Sequence, residues 1–453
     1  MQRQLASFSR LLALLALVAG PLLFAGCDSS DSGMDDGPSS SLAGIVSETD
    51  DLSTLLAALQ ATGQAETLGN EDATFTVFAP ANSAFENVDV ESLTDNPDLT
   101  TDLLNYHIVP NEALTASDLE GRESVTTVEG QELAIGSENG TLTVGGVPVT
   151  QADVQASNGV AHVISGVLIP DSFPRRVSYD LAAQSNGGAI PDGVDGTVTF
   201  WEAGDDQTLI TLSLDDGPTG ASVSHPAHIH NGAAGSGGGI EIYLTPLDGT
   251  NANDANDGTS ARLVNQSFDD LAGFDGYVNI HESVASPGNV VSQGNVGANA
   301  TGTLGAGLSL VDDPQTTTYP LAAQSNEGAI PDGVPGQVQL RQLTADRTLA
   351  TVRLDPDDDG TYEDGSTQGS LAEATVSHPA HIHNNSDGSI AIYLSPVDGS
   401  DSAARSSKIV ARSFSDLSSF DGYVNVHESA SALQNVVSQG SLGSSSGGSE
   451  SGY

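Results

Sequence analysis

The stretch TFTVFAPANSAF, from Thr74 to Phe85, decides how the first part of the chain folds. It begins as a short apolar run typical of a buried strand, and Pro80 ends that run before a helix opens. Two further segments follow: LLNYHIVP at 103–110, and NGVAHVISGVLIP at 158–170, which predicts a strand pair with a Gly turn. Upstream, apolar residues at spacings of three, four and seven predict amphipathic helix; they are Leu42, Ile45, Val46, Leu52, Leu55, Leu56 and Leu59.

The order and spacing of these segments between residues 41 and 170 resemble the fasciclin domain. The resemblance implies an α+β module in which two small sheets form a wedge flanked by helices. It also implies adhesion and contacts with extracellular matrix, and it carries over no catalytic residues. In animal members a Tyr-His pair is tied to receptor binding, and Tyr106 and His107 hold that place here. Core residues flank the pair, which favours a structural role, and His162 is likewise predicted to pack inside its strand.

The rest of the chain holds one domain twice. YDLAAQSNGGAIPDGV from Tyr179 returns as YPLAAQSNEGAIPDGV from Tyr319, and FDGYVNIHES at 274–283 returns as FDGYVNVHES at 420–429. We assign the copies to residues 177–299 and 318–443, joined by a Gly/Thr/Ala linker at 300–317. Alternation of period two between Gly, Asp and Pro turns predicts an all-β, antiparallel sandwich or barrel for each copy.

Each copy places histidines where two strands can bring them together. In AHIH, His228 and His230 share one face of a strand, and in YVNIH the last residue, His281, lies on the polar face. His225 precedes a proline at the strand entrance, so four imidazoles converge if the strands are neighbours. Eight of the ten histidines belong to two such sets: His225, His228, His230 and His281, and His378, His381, His383 and His427.

Two interpretations of these sets remain open. Imidazole suits zinc and copper, so a metal site is one interpretation, with copper or zinc as its cofactor. The other is a polar network in which the imidazoles bond to one another and Asn279 or Glu282 orients them. Calcium is excluded as the ion, because the sets offer no oxygen ligands.

The motifs AHIHNG and YVNIHES, with a closing strand after SPGN, resemble the chordin-type CHRD domain, a β module of chordin and of many microbial secreted proteins. The family's closing strand carries Gly-Glu-Ile-Arg-Gly, whereas residues 289–292 read NVVS and lack the arginine. The H-x-H strand is also similar to that of copper/zinc superoxide dismutase. However, that family's zinc-loop aspartate, with its histidines, and its disulfide are not found in this sequence, so dismutase activity is not expected.

The first residues predict export and a lipid anchor. Arg3 and Arg10 precede the apolar run LLALLALVAGPLLF, which suits a signal peptide over residues 1–26. LFAGC resembles a lipoprotein box, which implies that Cys27, the single cysteine, becomes the lipidated first residue of the mature chain. The Ser/Gly-rich acidic residues 27–40 are predicted to be a flexible tether, and residues 444–453 a disordered tail.

Charge limits the partners. With 60 acidic against 12 basic residues, the formal net charge is -48, which repels nucleic acid and anionic lipid headgroups. Such acidity resembles that of proteins from salt-loving microbes, although a secreted protein that uses carboxylates for calcium or solubility fits too. The acidic insertion DPDDDGTYEDG, from Asp355 to Gly365, begins like a calcium loop. Its twelfth position is Ser366 instead of glutamate, so a solvated loop is favoured.

The sequence therefore predicts a multidomain protein: an α+β fasciclin domain followed by two all-β antiparallel domains. Its predicted function is non-enzymatic, as a lipoprotein at the outer membrane or cell surface that adheres to matrix, polysaccharide or another surface protein. The alternative is a metal-binding surface protein or a metal-dependent oxidoreductase that uses the histidine sets.

Overall fold

The computed structural model describes residues 40–204, 206–215, 224–248, 259–311, 313–355, 377–398 and 404–443. The predicted signal peptide, Cys27, the tether up to residue 39, nearly all of the acidic insertion and the predicted tail lie outside these ranges. Among the described residues, no helix has both the length and the apolar character needed to cross a membrane. The described residues form one compact unit.

The first domain joins short helices to one mixed sheet. Its helices are α1 (Leu42–Glu48), α2 (Ser53–Thr62), α3 (Gln64–Leu68), α4 (Val90–Thr94), α5 (Pro97–Tyr106) and α6 (Ala116–Leu119). Its strands are β1 (Phe75–Pro80), β2 (Ile108–Pro110), β3 (Ser124–Thr126), β4 (Glu132–Glu138), β5 (Thr141–Val144), β6 (Val147–Ala156) and β7 (Gly159–Ile164). They lie in the order β2-β1-β7-β6-β5-β4-β3.

Strand β1 forms the centre of this domain, and all six of its residues are buried. It pairs parallel with β7 and antiparallel with β2, so its apolar run has neighbours on both edges. Gly159 permits the close approach of β7, because a Cβ there would lie 1.9 Å from the Phe75 carbonyl oxygen. The apolar run at Thr74–Phe85 therefore forms the buried strand that its sequence predicts.

The remaining described residues are largely β. The first repeat contains β8 (Arg175–Ala183), β9 (Gly196–Glu202), β10 (Thr208–Leu214), β11 (Ser224–Asn231), β12 (Ile240–Asp248), β13 (Thr259–Val264), α7 (Phe268–Ala272), β14 (Asp275–His281), β15 (Val290–Gly297) and β16 (Thr303–Ala306). The second contains β17 (Thr316–Ala323), β18 (Gly336–Gln342), β19 (Thr348–Leu354), β20 (Ser377–Asn384), β21 (Ile390–Asp398), β22 (Arg405–Val410), α8 (Phe414–Ser418), β23 (Gly422–His427) and β24 (Val436–Leu442).

Each repeat packs two antiparallel sheets around one core. In the first repeat, β8, β9, β10 and β13 form one sheet, and β12, β11, β14 and β15 form the other. Phe200 and Ile210 from the first sheet meet Ile229 and Val278 from the second in the core. The second repeat repeats this pairing with β17 to β24. Antiparallel β structure is thus present in both repeats, as predicted.

The segment predicted as a linker, residues 300–317, is not a free connection throughout. Residues Thr303–Ala306 form β16, which pairs antiparallel with the first half of β8, and Leu304 forms a bridge to Val88 of the first domain. Strand β17 begins at Thr316, inside the predicted linker. The Gly/Thr/Ala composition of the linker is typical of a loop. Part of it nevertheless forms a strand, because neighbouring elements supply backbone hydrogen-bond partners.

The two repeats meet along β13 and β22, which lie antiparallel with Ala261 opposite Ser407. These two residues hold equivalent positions, because each lies three residues before the end of its strand, at Val264 and Val410. The Ser407 backbone N–H also donates to the Thr245 hydroxyl at 3.1 Å. The first sheets of the two repeats therefore join edge to edge.

Candidate metal centre

Strands β11 and β14 place histidines on the outer face of a sheet. In their register His228 lies opposite Asn279, and His230 lies opposite Tyr277. Side chains alternate between faces along a strand, so His281 shares the face of Asn279. Ile229, Val278 and Ile280 point the other way, into the core. The apolar residues anchor the strands, and their alternation leaves the imidazoles on the side away from the core.

Three imidazoles converge in each repeat. One ligand nitrogen from each of His228, His230 and His281 lies within 4.8 Å of the others. The same holds for His381, His383 and His427 in the second repeat. A zinc ion at about 2.0–2.1 Å from each of its ligands separates tetrahedral nitrogens by roughly 3.4 Å, so modest ring rotations would close either group around one ion. We call these groups the first and second histidine triads.

The fourth histidine of each predicted set lies outside its triad. His225 is 1% exposed, and its Nδ1 donates to the His281 carbonyl oxygen at 3.1 Å. His378 bonds to the His427 carbonyl oxygen in the same way, at 3.2 Å. The prediction of four converging imidazoles is therefore corrected to three. A spacing of three residues from His228 puts His225 on the opposite side of an alternating strand, and the register shifts just after it.

Backbone carbonyls fix the tautomer of one ring in each triad. His230 Nδ1 lies 3.0 Å from the Gly238 carbonyl oxygen, and His383 Nδ1 lies 3.0 Å from the Gly388 carbonyl oxygen. A carbonyl oxygen only accepts, so Nδ1 carries the proton and the Nε2 lone pair is available to a ligand. Metal-binding histidines in proteins are held in this way.

The triads contain ring nitrogens that are buried and that have no hydrogen-bond partner among the described residues. In the first triad they are His228 Nδ1, His230 Nε2 and His281 Nδ1. The second triad has the corresponding His381 Nδ1, His383 Nε2 and His427 Nδ1. A buried polar atom without a partner costs about 1–3 kcal/mol, which a bound ion would recover.

Burial favours the neutral form of four triad rings, those of His228, His281, His381 and His427. Desolvation, with smaller contributions from His281 and His230, lowers the pKa of His228 to about 3. Desolvation, with smaller contributions from His427, His383 and Lys408, lowers the pKa of His381 to about 3. Desolvation also lowers the pKa of His281 and of His427. A neutral imidazole keeps the lone pair that a metal ligand needs, so protons do not compete for these rings near neutral pH.

Tyrosine rings pack against two imidazoles of each triad. Tyr277 stacks on His230 with ring centroids 4.9 Å apart, and Tyr243 meets His228 edge-on at 5.0 Å. Tyr423 and Tyr393 do the same for His383 and His381. These tyrosines are not among the site residues predicted from the sequence. Alternation gives the signal for Tyr277, which lies two residues before Asn279 and four before His281 on one face of β14.

The polar residues proposed to orient the imidazoles have other partners. The Glu282 carboxylate accepts hydrogen bonds from the Ala189 backbone N–H and from the Asn289 amide, the latter at 2.6 Å. The Asn279 side-chain oxygen accepts from the Gln293 amide at 2.6 Å. These bonds tie loops and strands together, which favours the metal interpretation of the triads over a self-contained polar network.

The pair Tyr106 and His107 is internal to the first domain. Tyr106 is 9% exposed and His107 is 3% exposed. His107 Nδ1 donates to the Leu103 carbonyl oxygen at 2.8 Å, and its Nε2 accepts the Leu168 backbone N–H at 2.9 Å. His162 is also fully buried, and its Nε2 donates to the Leu114 carbonyl oxygen at 2.9 Å. This geometry favours the structural role over receptor binding.

The first domain also matches known proteins in sequence. The family model for the Fasciclin domain matches residues 50–170. Protein sll1483 of Synechocystis sp. is 39% identical over 131 residues, which cover 28% of this chain and 71% of that protein. The chain belongs to the fasciclin domain family. The pig transforming growth factor-beta-induced protein ig-h3 is 34% identical over 33% of this chain, and immunogenic protein MPB70 of Mycobacterium bovis is 29% identical over 34% of it.

The fasciclin match covers only part of the proteins concerned. The aligned region is 22% of the pig protein and 84% of MPB70. Family membership therefore describes the first domain of this chain. The activity and partners of the whole chain are matters of proposal.

Proposed function

We propose that this protein is an exported, lipid-anchored surface protein that mediates adhesion without catalysis. The match of residues 50–170 to the Fasciclin domain carries the proposal, because that domain serves in adhesion. In this proposal Cys27 holds the lipid, residues 27–40 form the tether, and two CHRD-like repeats extend the surface outward. Its partner is extracellular matrix, a polysaccharide or another surface protein, and its place is the outer membrane or cell surface.

Contacts between the first domain and the first repeat suit this role. Arg176 on β8 pairs with Asp89 of the first domain, and β16 lies between β8 and Val88. Phe173 and Ala306 also pack with Leu93 in one apolar cluster. These contacts hold the fasciclin domain against the first repeat. A mechanical force on one domain would therefore be transmitted to the next.

Attachment of living cells tests the adhesion proposal. Deleting the gene is expected to reduce retention of cells on matrix-coated and polysaccharide-coated surfaces, and the full chain should restore it. A Cys27→Ser chain should be exported but released into the medium, and it should fail to restore attachment. Unchanged attachment after deletion would contradict the proposed role.

A second candidate function is binding of copper or zinc by the repeats. The observation that favours it is the convergence, in each repeat, of three imidazoles that carry buried nitrogens without a hydrogen-bond partner among the described residues. Zinc and copper suit imidazole ligands, whereas calcium and magnesium prefer oxygen. Each triad supplies three protein ligands, which leaves a coordination position for water or another donor.

Metal content after reconstitution and desalting tests this second function. The full chain is expected to retain two zinc or copper ions, and His281→Gln only one, because one triad has lost a ligand. His225→Gln is the matched control and should retain two, since that ring lies outside the triad. Elemental analysis of the three proteins gives the result. A chain that retains no metal, or a His281→Gln chain that retains two, would overturn this function.

The oxidoreductase form of the alternative has its own test. Copper in a three-imidazole site with an open position supports one-electron chemistry, and the ion supplies that chemistry when bound. The chain's own residues would hold the ion and limit access to it. Consumption of superoxide or hydrogen peroxide by the copper-loaded chain, lost in His281→Gln/His427→Gln, would identify such activity. If the copper-loaded chain consumes neither compound, the oxidoreductase form is overturned and metal binding without catalysis remains.

A further inference from the structure

The two histidine triads are related by symmetry within the chain. Ala261 and Ser407 are equivalent residues and lie opposite each other in an antiparallel pair. A two-fold axis perpendicular to such a pair exchanges its strands, so it exchanges the two repeats as well. The equivalence extends to their neighbours: Val264 lies opposite Thr208, and Val410 lies opposite Thr348.

This pseudo-two-fold places both triads on one side of the molecule. An axis perpendicular to the shared sheet leaves the second sheets of the two repeats on the same side of it. Strands β12 and β21 pack against each other where these second sheets meet. Across these two second sheets the strands therefore lie in the order β14, β11, β12, β21, β20, β23. With strands about 4.8 Å apart, the centres of the triads are separated by about 20 to 30 Å, allowing for an offset along the strands.

Each triad would leave the charge of its ion uncompensated. Among the described residues, both groups consist of histidine alone, and no carboxylate belongs to either. A divalent ion held by three neutral imidazoles keeps its positive charge and an open position, which favours an anionic oxygen donor. His228 and His230 are partly exposed, whereas the three rings of the second triad are buried, and Ile390, which lies opposite His383, is 37% exposed.

The rest of the molecule repels anions. The formal net charge of -48 disfavours any polyanion in the absence of metal. Two metal ions on one face would create two positive points at a fixed separation on an otherwise acidic surface. A linear polymer with carboxylates at regular intervals can occupy both points, and joining the two contacts through one chain raises the apparent affinity.

We propose that the metal-loaded repeats together bind a carboxylate-bearing polysaccharide, with one carboxylate at the open position of each triad. This inference rests on the proposed binding of zinc or copper by the triads. It assigns the two repeats a single bivalent site, and it makes that contact dependent on metal. Neither triad alone supplies the avidity, because a single carboxylate bound to one ion exchanges readily with solvent.

Polygalacturonate and its monomer, galacturonate, are suitable probes for the zinc-loaded full chain. Calorimetry is expected to show the polymer binding at least 100-fold more tightly per chain than the monomer, and EDTA should abolish both signals. Neutral dextran should not bind. His281→Gln and His427→Gln should each retain one zinc ion and bind the polymer only as tightly as the monomer. His225→Gln, with both triads intact, should bind the polymer like the unmodified chain.

The possible results separate this inference from the metal proposal. A chain without zinc would overturn the metal proposal itself. If the unmodified chain binds two zinc ions but either single-triad variant binds the polymer as tightly as the unmodified chain does, the bivalent site is overturned and the metal proposal stands. Zinc-dependent self-association in sedimentation, without polymer binding, would also overturn it, because the donor would then be a second copy of this chain.

The separation of the triads provides a readout that is independent of any ligand. With Cu(II) in both sites, pulsed electron double resonance is expected to give one distance of about 20 to 30 Å. The His427→Gln chain should give no intramolecular distance. A separation beyond about 45 Å would overturn the shared face, since strands at normal spacing cannot account for it.

Discussion

Replacing His107 with alanine is expected to lower the free energy of unfolding of the fasciclin domain by about 3–5 kcal/mol. The ring is 3% exposed and bonds to the Leu103 carbonyl oxygen and to the Leu168 backbone N–H. Alanine leaves both backbone groups buried without partners and leaves a cavity between α5 and the end of the domain. Hydrogen exchange measured on peptides from α5 and β2 reports this loss locally, so unfolding of the repeats does not mask it.

His107 should also make stability depend on pH. Burial lowers its pKa to about 4, against the Leu103 hydrogen bond, which raises it. Between that value and an unfolded pKa of about 6.5 the unfolded chain binds more protons, so stability falls as pH falls through this window, by about 3 kcal/mol. His107→Ala should lack this component. Val128→Ala, at a side chain 42% exposed, is the control and should change stability by less than about 0.5 kcal/mol. A similarly small effect at His107 would refute the structural assignment.

Zinc at about a thousand times its dissociation constant is expected to stabilise each repeat by about 4 kcal/mol, because the folded triad binds the ion and the unfolded chain does not. Trp201, the single tryptophan, lies on β9, so its fluorescence reports unfolding of the first repeat. The thermal midpoint should rise by on the order of 10 °C with zinc.

The matched variants define what this stabilisation requires. His281→Gln/His427→Gln should show no zinc-dependent rise, because both triads are incomplete. His225→Gln should keep the rise even if its starting midpoint is lower, since the His225 ring bonds to the His281 carbonyl oxygen and lies outside the triad. An equal zinc effect in the double variant would mean that the ion binds elsewhere.

Local sequence predicted the faces of the strands. Alternation placed His228, His230 and His281 on the polar side and Ile229 and Val278 toward the core, and both placements hold in the register of β11 and β14. The same rule excludes His225 from the polar face, because His225 lies three residues before His228. The proline that follows His225 predicts an extended backbone at the strand entrance, but it does not determine which face of the strand the imidazole takes.

Other features depended on neighbours that no local pattern specifies. Residues Thr303–Ala306 resemble loop in composition, but β8 and Val88 supply the partners that make them a strand. The tyrosines beside the imidazoles come from two different strands, and the carbonyl of Gly238 reaches His230 from a turn. Each of these contacts joins residues whose proximity depends on pairing across the sheet.

Periodicity and motif spacing are properties of neighbouring residues, so they sufficed to predict the fasciclin domain, the duplication and the polar face of each histidine strand. Three features depended on tertiary contacts: three imidazoles meet instead of four, part of the linker forms a strand, and Ala261 lies opposite Ser407. Strand order and register depend on which backbone groups find partners after the core has formed. Strand pairing joins segments that are far apart in the chain, so a local sequence pattern does not predict it.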